Sequence, residues 1–180
     1  MEKIKWGIIG PGNIANNFAD GLKGSYSGQL VSIASKSEDR RKNFGDKYDI
    51  HPDFRFDSYE DIINSEHIDA IYISTPHTLH AEWTIKAAGK GKHILCEKPG
   101  AINFNEGKKI IDAVREAGVF YMEGFMYRCH PQIPKLVDII KNKIIGDVIS
   151  VETSFGFDMG KTIPDHRLFN KNLAGGGILD

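Results

Sequence analysis

The feature that most constrains this chain is a short apolar run, Ile4-Lys5-Trp6-Gly7-Ile8-Ile9, that ends in the turn Gly10-Pro11-Gly12-Asn13-Ile14-Ala15. Gly10 and Gly12 stand where a strand must turn sharply into a helix. Lacking Cβ atoms, they permit positive φ and let backbone amides approach a pyrophosphate. Ala15 takes the third place, where a small residue allows close packing of helix on strand. A glycine pattern alone marks any tight turn, so its context decides. Here Ile14, Phe18 and Leu22 recur at four-residue intervals after the turn, which predicts an amphipathic helix. A strand before the glycines and a helix after them make Gly10, Gly12, Asn13 and Ile14 candidate contacts for a dinucleotide.

The rest of the chain repeats the same alternation. Leu30 to Ala34, Ala70 to Ile73, His93 to Cys96 and Val119 to Met122 are strand candidates, separated by helical patterns such as Leu79, Trp83 and Ala87. That spacing predicts βαβ units and a doubly wound, Rossmann-type parallel sheet over residues 1–123. Ser37 is placed to cap a helix running through Phe44 and Tyr48. Asn103 with Glu106 resembles a capping box, and Gly118 supplies a stop. Phe54 to Asp57 reads as a short connection or edge strand. Beyond Met122 the pattern changes: Ile133, Leu136, Val137 and Ile140 form a helical stripe. Ile149, Val151, Thr153, Phe155 and Phe157 then alternate with polar residues, as in an antiparallel strand. Residues 124–180 are therefore expected to begin an α+β substrate domain with a mainly antiparallel sheet. A single strand makes no sheet, so a truncated domain is the preferred expectation.

Charge narrows the partners. With 23 basic and 24 acidic residues among 180, and a formal charge of -1, nothing favours nucleic acid or an anionic membrane. The first apolar run is too short for a signal sequence and no later one approaches a membrane span. Cys96 and Cys129 have neither metal-ligand nor redox spacing and read as reduced, buried thiols in a cytoplasmic protein. A small-molecule partner is expected and no metal.

At the end of the second strand NAD would call for an acidic residue. The chain instead reads Ser35-Lys36-Ser37-Glu38-Asp39-Arg40-Arg41. Hydroxyl, ammonium and guanidinium groups there favour the 2′-phosphate of NADP, with NAD as the alternative. Ser35, Lys36 and Arg40 are the candidates; a solvated helix face accounts equally for one of the two arginines. Later, Glu97-Lys98-Pro99 follows a core strand, where α/β sheets place ligands. Oxidising an alcohol carbon needs a group that handles the proton at oxygen and a donor for developing charge, and a lysine serves as either. As an isolated tripeptide it would be an ordinary surface lysine; its place at the ligand-bearing edge makes Lys98 the catalytic candidate. Pro99 confines the residue before it to an extended backbone and leaves a cis bond open.

These segments resemble the Gfo/Idh/MocA family of NAD(P)-dependent oxidoreductases, which includes dihydrodiol, xylose and inositol dehydrogenases and glucose-fructose oxidoreductase. The resemblance spans essentially the whole chain. Its landmarks are Gly10 to Ala15, Ser74-Thr75-Pro76-His77-Thr78-Leu79-His80, Cys96 to Pro99, Met122-Glu123-Gly124-Phe125-Met126-Tyr127-Arg128, and Gly175-Gly176-Gly177-Ile178-Leu179-Asp180. It implies that Lys98 hydrogen-bonds the substrate oxygen, that Asp180 contacts substrate, and that Glu97, Thr75, His77 and His80 belong to the segments holding the nicotinamide ribose. Arg128 takes the place of an arginine beside nicotinamide and substrate, with a structural ion pair to Glu123 or Glu97 as the alternative. His77 and Gly124 depart from a commoner asparagine and alanine. His130, beside Pro131 at a helix start, reads as structural.

The resemblance further implies a sugar, polyol or vicinal diol substrate, and a homo-oligomer built on the second domain's sheet when the protein is full length. The family's proton-transfer His or Tyr follows the closing Asp by about four positions, beyond Asp180, so this stretch is expected to be inactive alone. The competing reading from another class is a non-catalytic NAD(P)-binding regulator on the same fold. A methyltransferase leaves Glu97-Lys98-Pro99 without a use.

Overall fold

The computed structural model describes residues 2–156, 158, 160 and 169–173. Strands β1 (Ile4–Ile9), β2 (Gly28–Ala34), β3 (Arg55–Phe56), β4 (Ala70–Ile73), β5 (His93–Cys96) and β6 (Tyr121–Glu123) form one sheet in the order β3-β2-β1-β4-β5-β6. Every neighbouring pair is parallel. The order reverses between β1 and β4, which opens a crevice at the carboxyl ends of those two strands. Helices α1 (Asn13–Lys23), α2 (Glu38–Lys47), α3 (Tyr59–Asn64), α4 (His80–Gly89) and α5 (Phe104–Ala117) lie between the strands.

Strand side chains alternate between the two faces, and both faces are apolar because both are covered. Ile8, Ile33 and Tyr72 pack with Ala15 and Ala19 of α1 and with Phe44 of α2. Ile9, Ile71, Ile73, Ile94 and Cys96 pack on the opposite side with Ile62, Trp83, Ala87, Ile110 and Val114. Each fully buried isoleucine contributes about 1.5–3 kcal/mol over its exposed state. The stripe expected on α1 rotates slightly: Ala15 and Ala19 are the buried residues, and their small side chains let the helix close on the sheet. Phe18 turns sideways to stack on Tyr72, with ring centroids 4.1 Å apart.

The helix ends follow local chemistry. Ser37 accepts a hydrogen bond from the Arg40 amide at the start of α2. Asn103 accepts from the Glu106 amide at 3.0 Å, while Glu106 reaches back to the Ile102 amide at 3.2 Å, closing the expected box one residue early. Gly118 ends α5 with φ 64. This stop shifts β6 later than its apolar run predicts: the Val119 amide bonds the Val114 carbonyl and the Phe120 amide bonds His93 Nδ1, so pairing starts at Tyr121.

Two expectations change beyond the sheet. The stripe on α6 (Gln132–Lys141) forms, but Leu136, Val137 and Ile140 stay exposed. Residues 148–156 pair with no strand among the described residues, and Ile149 and Phe155 are over nine-tenths exposed. An alternating pattern yields a strand only when a neighbour satisfies its backbone, and none is present there. Phe157 lies outside the described residues. Cys96 is buried as expected, whereas Cys129 is exposed because its turn lies past the last strand.

Candidate active site

Gly10 leaves β1 with φ +90, a conformation that L side chains rarely adopt. A Cβ there would lie 3.1 Å from the Ser74 carbonyl oxygen and 3.2 Å from the Thr75 nitrogen, so the β1 turn rests directly on the end of β4. Ser74 fastens the two: its amide donates to the Ile9 carbonyl at 3.0 Å and its hydroxyl to the Gly10 carbonyl at 2.7 Å. Gly12 then precedes α1 with nothing within 4 Å of a Cβ position. No side chain caps this helix and no acidic residue occupies its first turn. The first-turn amides are therefore left without a side-chain cap, the arrangement that binds a phosphate. Asn13 is exposed and Ile14 half-buried in that turn. Behind it, Asn16 is held by Lys47 at 2.7 Å and by the Tyr48 hydroxyl at 3.0 Å, which fixes the helix start. The open floor, the uncapped amides and the close approach of backbone fit a nucleotide diphosphate.

At the end of β2 the basic cluster divides into two tasks. Arg41 turns inward and donates to the Ser35 carbonyl at 2.7 Å, while the buried Ser35 hydroxyl accepts from the Ser37 amide at 3.3 Å. Both are occupied in shaping the strand end. Lys36 and Arg40 are the exposed pair. The Lys36 ammonium sits 5.8 Å from the Tyr59 ring centroid. Burial raises the Tyr59 phenol above its ordinary value, against the lowering effect of the Arg40 charge. Lys36 and Tyr59 thus share one surface, with Arg40 exposed on the helix that follows, and Tyr59 carries no sequence signal beyond following a cap at Ser58.

The lysine loop is tied on three sides. The Glu97 amide donates to the Ile73 carbonyl at 2.9 Å, and Glu97 Oε1 accepts from the Tyr72 hydroxyl at 2.5 Å. Burial, then the bond to Glu97, pushes the Tyr72 phenol far above its usual range. The Lys98–Pro99 bond is cis. One ring nitrogen of His80 is 2.7 Å from the Pro99 carbonyl and the other 2.8 Å from that of Thr75. The Gly100 amide donates to Glu123 Oε1 at 2.8 Å. Lys98 is half-buried at the head of this loop.

Of the remaining expected contacts, Thr75 and His77 are buried beneath the loop and His80 has no exposed surface, so His80 bears on the site only through the backbone that it holds. Arg128 is exposed on a 3-10 turn and, among the described residues, makes no ion pair with Glu97 or Glu123. His130 accepts from the Gln132 amide at the start of α6, the structural role expected of it. Asp180 lies outside the described residues. Gly124 gains a reason: a Cβ there would lie 3.2 Å from Glu97 Oε1. Among the described residues no His, Cys, Asp and Glu cluster is suited to a metal, and no helix is long and apolar enough to cross a membrane.

Residues 4–125 match the model of the GFO_IDH_MocA oxidoreductase family, NAD-binding Rossmann fold. The chain belongs to this family. Among Gfo/Idh/MocA relatives it is 34% identical over 178 residues to a trans-1,2-dihydrobenzene-1,2-diol dehydrogenase of Xenopus tropicalis, covering 98% of this chain and 52% of that protein. The aldose-aldose oxidoreductase of Caulobacter crescentus, solved with glycerol, superposes with a TM-score of 0.90 at 28% identity, over 99% of this chain and 54% of that one. The 3-ketoreductase KijD10 of Actinomadura kijaniata, solved with NADP, gives a TM-score of 0.72 at 32% identity, over 81% and 46%. The chain spans about half the length of the curated relatives it matches.

Proposed function

We propose that the whole protein is an NADP-dependent oxidoreductase acting on CH–OH groups of sugars, polyols or vicinal diols, and that this chain supplies its nucleotide domain and its principal hydrogen-bond donor. The observation that carries this reading is the pinned Lys98 loop at the carboxyl end of β5, tied through His80 to Thr75 under the turn that leads into the uncapped α1, next to the point where the strand order reverses. When bound, the nicotinamide supplies the carbon that accepts or delivers hydride. The first-turn amides of α1 bind the diphosphate, and Lys36 and Arg40 hold the 2′-phosphate. Lys98 donates to the substrate oxygen and stabilises charge that develops there. Glu97, Thr75 and His77 shape the ribose end of the crevice, and Arg128 faces the same end from its turn after β6. Asp180 contacts substrate. The nucleotide domain ends at Glu123 and the substrate domain starts at residue 124, where a completed sheet would pair copies of the protein.

Steady-state NADPH formation by the whole protein across a panel of sugars and diols tests this reading. Wild type is expected to turn over at least one of them, and Lys98→Met to keep NADPH binding while losing about 10²–10⁴-fold in kcat. Tight NADPH binding by wild type with no turnover of any substrate overturns catalysis and identifies a regulator.

A further inference from the structure

We propose that His80 is a positioning residue, a doubly protonated imidazolium whose two N–H groups clamp the carbonyls of Thr75 and Pro99 and so lock the Lys98 loop to the cofactor turn. Its consequence for turnover rests on the reading of Lys98 given above.

The side chain has no exposed surface. Its Nδ1 lies 2.7 Å from the Pro99 oxygen and its Nε2 2.8 Å from the Thr75 oxygen. A backbone carbonyl oxygen only accepts. Neutral imidazole carries one donor and one acceptor nitrogen, so a neutral ring would press a lone pair against a carbonyl at hydrogen-bond distance. The imidazolium alone donates in both directions, and it does so through charge-assisted bonds. His80 is the first residue of α4. A second histidine, His77, adds its ring 5.6 Å away on the preceding turn, while the loop being held carries Glu97 and Lys98. The two short bonds run from opposite sides of one rigid ring. Glutamine carries its donors on one nitrogen and can hold only one of the carbonyls well.

What the clamp joins matters. Thr75 lies under Gly10, and Ser74 bonds the Gly10 carbonyl, so one side of the clamp is the floor of the phosphate turn. The other side is Pro99, directly after Lys98. His80 therefore converts the position of the phosphate turn into the position of the amine-bearing residue, across two strand ends that share no covalent connection nearby.

Long-range ¹H–¹⁵N spectra of the labelled whole protein at pH 7 read the ring state without any reference to catalysis. Both nitrogens of His80 are expected to carry the protonated signature; a ring with one unprotonated nitrogen overturns the proposal. In the whole protein, His80→Gln is expected to lower kcat about tenfold or more, by misplacing Lys98, with a smaller change in the NADPH dissociation constant. Wild-type kcat in a folded His80→Gln protein overturns the positioning role. Should that variant not fold, the spectra of the unmodified whole protein still decide. Absence of turnover in wild type defeats the reading of Lys98 and leaves the spectroscopic outcome standing.

Discussion

Gly10→Ala and Gly12→Ala, two positions apart, are expected to separate stability from nucleotide binding. At Gly10 the backbone has φ +90, and a left-handed conformation costs an alanine about 1–2 kcal/mol. Its methyl would also sit 3.1 Å from the Ser74 oxygen and 3.2 Å from the Thr75 nitrogen. Those are backbone atoms, anchored by the Ser74 bonds to Ile9 and Gly10, and they have no rotamer to escape into. A total near 2 kcal/mol corresponds to a fall in Tm of roughly 5–10 °C for a domain of this size. Gly12 differs on each count. Its φ of -89 suits any residue, and a methyl there meets no atom within 4 Å. The expected stability cost is at most about 1 kcal/mol, that of exchanging a glycine N-cap for alanine. The methyl fills the space that a diphosphate needs, however, and losing one charge-assisted bond, about 1.5–3 kcal/mol, weakens NADPH by roughly 10–100-fold. Thermal unfolding followed by circular dichroism, with NADPH titrated by fluorescence, reads both quantities. Wild-type NADPH affinity in Gly12→Ala refutes the phosphate site, and a wild-type Tm in Gly10→Ala refutes the account of the turn.

Three further outcomes follow from contacts elsewhere. Arg40→Ala should weaken NADPH by roughly 10–100-fold, the value of a charge-assisted bond, and leave NADH nearly unchanged, whereas Arg41→Ala should weaken both alike by loosening the Ser35 strand end; parallel titrations distinguish them. Burial pushes the Cys96 thiol up to about 12, against the lowering effect of Thr84. Because the folded value lies above the ordinary one, its contribution to stability is complete below about pH 9 and is lost as pH rises towards 12. At pH 8 a maleimide should label only the exposed Cys129 in the native chain and both thiols in urea, as mass spectrometry would show. Tyr72→Phe removes the bond to Glu97 and should cost about 1.5–3 kcal/mol in denaturant unfolding. Alkaline difference spectra should count the same number of tyrosines ionising near pH 10 with and without it, since Tyr72 stays protonated there.

Much of the fold was legible because its signals are local. The glycine turn, the Ser37 cap, the Asn103 and Glu106 pair and the Gly118 stop each act within a few residues, and apolar runs located five strands. Where a local rule competed with another, boundaries moved, as at Val119 and Phe120. The site was legible as a set of segments and much less so as contacts. Nothing in the chain distinguishes Arg40 from Arg41 until the helix phase turns one inward. Tyr72 meets Glu97 across 25 positions and His80 meets Pro99 across 19, separations set by strand order and invisible to periodicity. The alternation from Ile149 onward specified two faces, yet pairing requires a second strand that the described residues do not provide.

The anchors on Glu97, Pro99 and Gly100 come from β4, α4 and β6, so the stretch carrying Lys98 has almost no slack. Under the proposed function, any fitting to differently shaped substrates must then come from the opposite wall of the cleft. Selectivity among substrates should accordingly evolve there, while the amine-bearing side behaves as a fixed anvil against which each ligand is seated.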